Sequence, residues 1–192
     1  MATKEKVIEI LDRNQNQIER LIDKKIDIWV DHVLFSGLWW MGVALTVIPW
    51  IIWFVIRKKE STDRLLYIAF YIMTISVLLD IVGDQIGLWN YRFHVIPVLP
   101  TYFPWDVTLM PLAVIMLRQV KPHVNPWFKA IFFALLASYV GEPVFEWLGV
   151  YVPKNWRYSY SVPIQIAIYM SAHYLSMRNN FAQLSDESQK ET

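Results

Sequence analysis

The chain contains no cysteine in its 192 residues. That absence excludes disulfides, thiolate metal ligands and cysteine nucleophiles. An excess of one charge is missing too: 18 Lys and Arg face 17 Asp and Glu, a net charge of +1. No basic field exists to hold nucleic acid, so that partner class is set aside. The first residues, MATKEKVIEILDR, lack the apolar run and small-residue cleavage site of a secretory signal, and the N-terminus is expected to be retained. P-loop, Rossmann glycines, nucleophile elbow and zincin motif are all lacking, and no internal repeat or low-complexity segment is evident. The histidines His32, His94, His123 and His173 stand apart without metal-ligand spacing, so neither a metal nor another cofactor is expected. An oxygen-only Mg²⁺ or Ca²⁺ site from Asp80, Asp84 and Glu142 is the one metal arrangement that the spacing leaves open.

What the chain has in quantity is apolar and aromatic: 55% hydrophobic residues, with ten Trp, ten Tyr and ten Phe. The apolar residues fall in long blocks and many aromatics stand at block ends, the distribution of a membrane protein with interfacial belts. A span needs about 20 mostly apolar residues. Five blocks qualify, near residues 32–56, 65–88, 105–117, 127–150 and 162–177. The predicted fold is therefore an all-α polytopic membrane bundle of about five transmembrane helices. Residues 1–31 precede it, 32–178 form it, and 179–192 are a polar tail.

Segment 1–31 places Val7, Leu11, Ile18, Leu21 and Ile28 at three-four spacing, with Asn14 and Lys25 at the remaining seam positions. It is predicted to be an amphipathic helix that lies on the bilayer surface or pairs with a second copy into a homo-oligomer. Arg57, Lys58, Lys59, Arg64, Arg118, Lys121 and Lys129 follow the first and third spans, against Arg92, Lys154 and Arg157 on the other side. The positive-inside rule then puts the N-terminus outside and the C-terminus in the cytoplasm. The basic residues of the N-terminal segment oppose that assignment.

Ionisable side chains inside spans are costly and mark candidate sites. Asp80 and Asp84 in the second span, and Glu142 and Glu146 in the fourth, are pairs four residues apart, each pair on one helix face. At about 1.5 Å per residue Asp80 and Glu142 lie at matching depth, with Asp106 and Gln165 in the same layer. Trp89, Tyr91, Arg92, Trp156, Arg157 and Tyr158 lie above them on the outer loops. These twelve residues are the candidate ligand-binding set, and Asp80 and Glu142 are the candidate catalytic acids. Capping alone can explain Asp106, and solvation or pairing with Arg92 and Arg157 can explain Asp84 and Glu146. Pro49, Pro111 and Pro143 leave the carbonyls of Leu45, Val107 and Tyr139 without a helical donor, and the last kink adjoins Glu142.

The stretches LLDIVGDQIGLWNY, VIPVLPTYFPWDVTLMPLAVIMLRQ, GEPVFEWLGVY and NWRYSYSVPIQI resemble a family of small multi-pass membrane proteins from spore-forming Gram-positive bacteria. The matching residues are Asp84, Asp106, Glu142, Pro143, Trp156, Tyr158, Tyr160, Ser161 and Pro163, within residues 35–178. The resemblance implies a helical fold in a bacterial plasma membrane and brings no activity with it. Three functions remain open from sequence. An outward-facing acidic and aromatic cavity could bind or move a cation or amphiphilic small molecule. It could house an intramembrane enzyme acting on a lipid or isoprenoid, with Asp80 or Glu142 as general acid. Or the acids could serve packing alone in a structural or accessory subunit.

Overall fold

A computed structural model of the chain describes residues 3–179, so all of the expected polar tail except Asn179 lies outside the described residues. Helix α1, Lys4–His32, is followed by α2, Gly37–Ile56, whose first turn is capped by Ser36 accepting the Trp39 amide at 3.3 Å. Thr62–Gln85 forms α3, and Trp89–Tyr91 forms strand β1. Helix α4 joins a π-helical segment, Pro104–Leu109, to an α-helical one, Met110–Gln119. Helix α5, Pro126–Trp147, is π-helical over Ala137–Gly141. Strand β2, Tyr151–Pro153, leads into α6, Tyr158–Ser176.

Three of these helices are long and apolar enough to cross a membrane: α2, α3 with the turn before it, and α5. The five spans expected from sequence are not all matched. The six- and ten-residue parts of α4 together rise about 24 Å, short of a roughly 30 Å hydrocarbon layer. Helix α6 carries Ser161, Gln165 and His173 among its apolar residues. The chain is mostly helical, as expected; the exceptions are the three-residue strands β1 and β2, which pair across the intervening residues 92–150 because each loop needs partners for its backbone groups. Exposed apolar side chains cover α2, α3 and α5, including Ile51, Val55, Phe70, Phe128 and Phe132, the surface that a bilayer would cover. Inside, small residues such as Ala69, Ala130, Ala134 and Ala172 let the helices approach closely.

The prolines act where their missing amides predict. The Val107 carbonyl, freed by Pro111, accepts the Trp50 indole N–H at 3.1 Å, and Thr108 returns a hydrogen bond to the Thr46 carbonyl one turn before Trp50, at 2.8 Å. These two bonds lock α2 onto the π-helical start of α4. Pro143 falls just after the π-helical turn of α5, where the Glu142 amide donates to Ala137.

An internal repeat that the sequence does not display is visible in the fold. The register Trp89↔Pro153, Asn90↔Val152, Tyr91↔Tyr151 maps onto itself when the strands are exchanged, as a local twofold axis through this two-stranded ribbon requires. The helices feeding the strands match at the same spacing: Asp80, Asp84, Gly87, Leu88 and Trp89 correspond to Glu142, Glu146, Gly149, Val150 and Tyr151. Both glycines sit at positive φ, 74° and 73°, and the next amide turns back to a carbonyl five residues earlier, Leu88 to Gly83 and Val150 to Phe145. This is the left-handed glycine stop of a helix, used twice to aim a strand into one sheet. The chain is thus two helix–strand–helix units, 62–119 and 126–176, preceded by α1 and α2.

Helix α1 is amphipathic, buries none of its residues, and leaves Val7, Leu11, Ile18 and Leu21 exposed. Its C-terminal end is tied to the loop after β1, where the Trp29 indole donates to the His94 carbonyl at 2.8 Å; Trp39 of α2 donates to the neighbouring Val95 carbonyl at 3.2 Å. His94 is 3% exposed, with Nδ1 donating to the Thr101 carbonyl and Lys25 of α1 and Tyr91 of β1 nearby. Burial first, then the Lys25 charge, push its imidazole down from 6.5 to about 4. The stabilisation from a neutral buried imidazole is complete above the unfolded value and is lost as pH falls through the folded one. Between pH 6.5 and pH 4 the wild type should therefore lose of the order of 2–3 kcal/mol more stability than His94→Gln, measured by thermal unfolding across that window.

Candidate functional site

Below the ribbon the four helices of the two units enclose a cavity of about 190 Å³. The strands and Trp156 roof it, and α3, α4, α5 and α6 wall it. Of the twelve residues proposed from sequence, Asp80, Trp89, Tyr91, Asp106, Glu142, Trp156 and Gln165 line this space. Five do not. Asp84 is half-buried within electrostatic reach of Lys25 and Lys154, while Arg92, Glu146 and Arg157 are exposed. Tyr158 packs against the apolar cluster around Tyr102 and Phe145 instead. The second acid of each pair misses the cavity because it stands in the last turn of its helix, one residue before the end at Gln85 or Trp147, and that terminal turn projects past the chamber.

Tyr102, Trp105, Phe145, Tyr151 and Ser161, outside the candidate set, also line the cavity. Two of the indoles are seated by glycines. A Cβ on Gly83 would fall 2.0 Å from the Trp89 ring, and one on Gly141 2.5 Å from the Trp105 ring. A glycine inside an apolar span, directly next to an acid, was the available signal for close approach of a ring.

The carboxyls differ in what they accept. Asp80 Oδ1 takes the Trp89 indole N–H at 2.8 Å and the Tyr91 hydroxyl at 3.0 Å, and Oδ2 takes the Tyr102 amide at 3.1 Å. Asp106 is hydrogen-bonded by Ser76, and by Thr101 at 2.7 Å, and lies against Asp80. Each oxygen of these two acids has a donor, so they fasten β1, the following loop and the start of α4 to α3. Capping of its own helix, the simple sequence explanation for Asp106, does not describe it; its donors are side chains from α3 and from the preceding loop.

Glu142 occupies the place of Asp80 in the second unit and is in hydrogen-bonding contact with the hydroxyls of Ser161 of α6 and Tyr151, the counterpart of Trp89. Its Oε2 is buried without a hydrogen-bond partner, and so is Oε1 of Gln165 on α6. Ser161 is itself the acceptor of the Trp156 indole N–H at 2.8 Å. The cavity therefore presents unused acceptors set among aromatic rings. Among the described residues no three His, Asp or Glu side chains gather to hold a metal ion. The oxygen-only set of Asp80, Asp84 and Glu142 is not assembled.

No family model, no curated protein and no solved structure matches the chain.

Removing the acids one at a time should separate their roles. Asp80→Asn replaces an acceptor oxygen by an N–H group among three donors and should destabilise the fold by about 1–3 kcal/mol. Glu142→Gln removes a poorly partnered buried acid and should leave stability unchanged or raise it. Thermal or denaturant unfolding of the purified variants in detergent measures both.

Proposed function

We propose that this is a multi-pass protein of the plasma membrane that binds, or moves, a small cationic or amphiphilic molecule in the chamber beneath its two-stranded ribbon. The observation that carries the reading is the pair of unpartnered buried oxygens, Glu142 Oε2 and Gln165 Oε1, in an aromatic-walled space. A buried acceptor without a donor costs about 1–3 kcal/mol, a cost that a ligand can relieve. The aromatic faces favour positive charge or apolar surface in the same molecule. An acid-initiated enzyme on a lipid is the second reading, and here only Glu142 could serve, because Asp80 and Asp106 already hold the ribbon in place.

Helices α4 and α6 complete the crossing in this proposal, giving five spans, with the polar residues of α6 turned inward. Support comes from the grouping of charge. Arg64 donates to the Ser176 carbonyl, Arg118 to His173, and Lys129 to the carbonyls of Leu117, Val120 and Lys121, so the basic turns gather at one end. That end is assigned to the cytoplasm, and the ribbon and α1 to the outside.

Extraction of the purified protein followed by mass spectrometry should yield a small molecule that accompanies the wild type and is depleted at least tenfold in Glu142→Gln. Equal recovery from both would count against the chamber as its site, and a mass change on incubation would favour the enzyme. For orientation, protease added to intact cells should cut α1; a protected α1 would reverse the assignment.

A further inference from the structure

Trp89 and Tyr91 donate to Asp80, and Trp156 donates to Ser161. The buried polar atoms of the lining left without a partner are the Tyr102 hydroxyl and two acceptor oxygens, Oε1 of Gln165, a residue only 7% exposed, and Oε2 of Glu142. A ligand settling against those two oxygens must bring donors. The rings of Trp89, Trp105 and Trp156 add faces that attract a cation. Donors and positive charge on one small group describe an ammonium that carries N–H hydrogens. A carboxylate has neither property, and a quaternary ammonium has charge without donors.

The route in is lateral. Of the residues lining the chamber, Leu79 and Val82 of α3 are the exposed ones, at 41% and 56%. They lie on the flank of α3, and the opposite wall is one face of α6, Ser161, Ile164, Gln165 and Ile168. Helix α3 is one of those apolar enough to cross a membrane, so side chains exposed along it meet hydrocarbon. On the equivalent seam of the second unit, between α4 and α5, Trp105 lies against Gly141, the counterpart of Leu79, and a separate apolar groove of about 330 Å³ runs between the helices. The exposed members of the chamber's own lining are on the α3 flank. The space itself, about 190 Å³, suits a head group and a few carbons, since a cavity of about 150 Å³ holds benzene.

We propose that the chamber takes the protonated amine head of an amphiphile whose apolar chain leaves between α3 and α6 into the bilayer. This rests on the binding reading above and specifies its ligand class and path.

The test uses the full chain in phosphatidylcholine nanodiscs, with tryptophan fluorescence read against empty discs, and four probes of equal chain length: octylamine, octyltrimethylammonium, octanol and octanoate. Octylamine should bind at least tenfold more tightly than octyltrimethylammonium or octanol, and octanoate should not bind. Gln165→Leu and Glu142→Gln should each weaken octylamine about tenfold. Val82→Phe, which narrows the seam between α3 and α6, should do the same, while Leu78→Phe on the exposed face of α3 should change nothing. Equal affinity for octylamine and octyltrimethylammonium would overturn the amine assignment and leave chamber binding standing. An unaltered affinity in Val82→Phe would overturn the lateral path. Failure of all four probes to bind would remove the binding reading along with both.

Discussion

The carboxyl of Asp80 is the point on which the strand-bearing half of the molecule depends. Placed in an apolar helix, it would be prohibitively costly without donors, and it collects three: the Trp89 indole, the Tyr91 hydroxyl and the Tyr102 amide. Those donors come from strand β1 and from the chain just before α4, so satisfying one buried group fixes the ribbon, the loop and the entry to α4 together. Asp106, fastened by Ser76 and Thr101, closes the same network from the other side. The cavity exists because the ribbon is held above the helices at that height.

The two helix–strand–helix units place an acid at matching positions but in different surroundings. Glu142 stands where Asp80 stands, and Tyr151 where Trp89 does, yet their neighbours differ. Gly83, which admits the Trp89 ring, corresponds to Phe145, and Tyr91, a donor to Asp80, corresponds to Pro153, which has no side-chain donor. The first unit holds a saturated structural acid. The second, with fewer donors, has an oxygen to spare, and Gln165 adds another beside it. One scaffold thus yields a fastening and a candidate binding group from equivalent positions.

The repeat escaped the sequence for a physical reason. Of the positions from Asp80 to Tyr91 and from Glu142 to Pro153, only Val82 with Val144 and Gly87 with Gly149 are identical. What is preserved is a pattern of roles: an acid inside the helix, a glycine able to take positive φ, and a β-forming residue after it. The π-helical turns before Pro111 and Pro143 belong to the same class of feature. The prolines announced a break in the hydrogen-bond ladder, but whether the break would be a kink or a wider turn depended on the neighbours, such as Trp50 accepting the task of capping Val107.

From the sequence alone came the apolar blocks, the amphipathic α1, the depth of Asp80, Asp106, Glu142 and Gln165, and the aromatic surroundings, because helical rise and burial cost are local properties. Asp84 and Glu146 were placed with them by four-residue helical spacing, and Arg92, Arg157 and Tyr158 by their place on the adjoining loops; both measures fail at helix ends, where direction is set by a glycine turn and by strand pairing. Only the tertiary structure decided which acids are saturated and which are not. Hydrogen-bond supply comes from residues distant in sequence, and no spacing rule reports who arrives to donate.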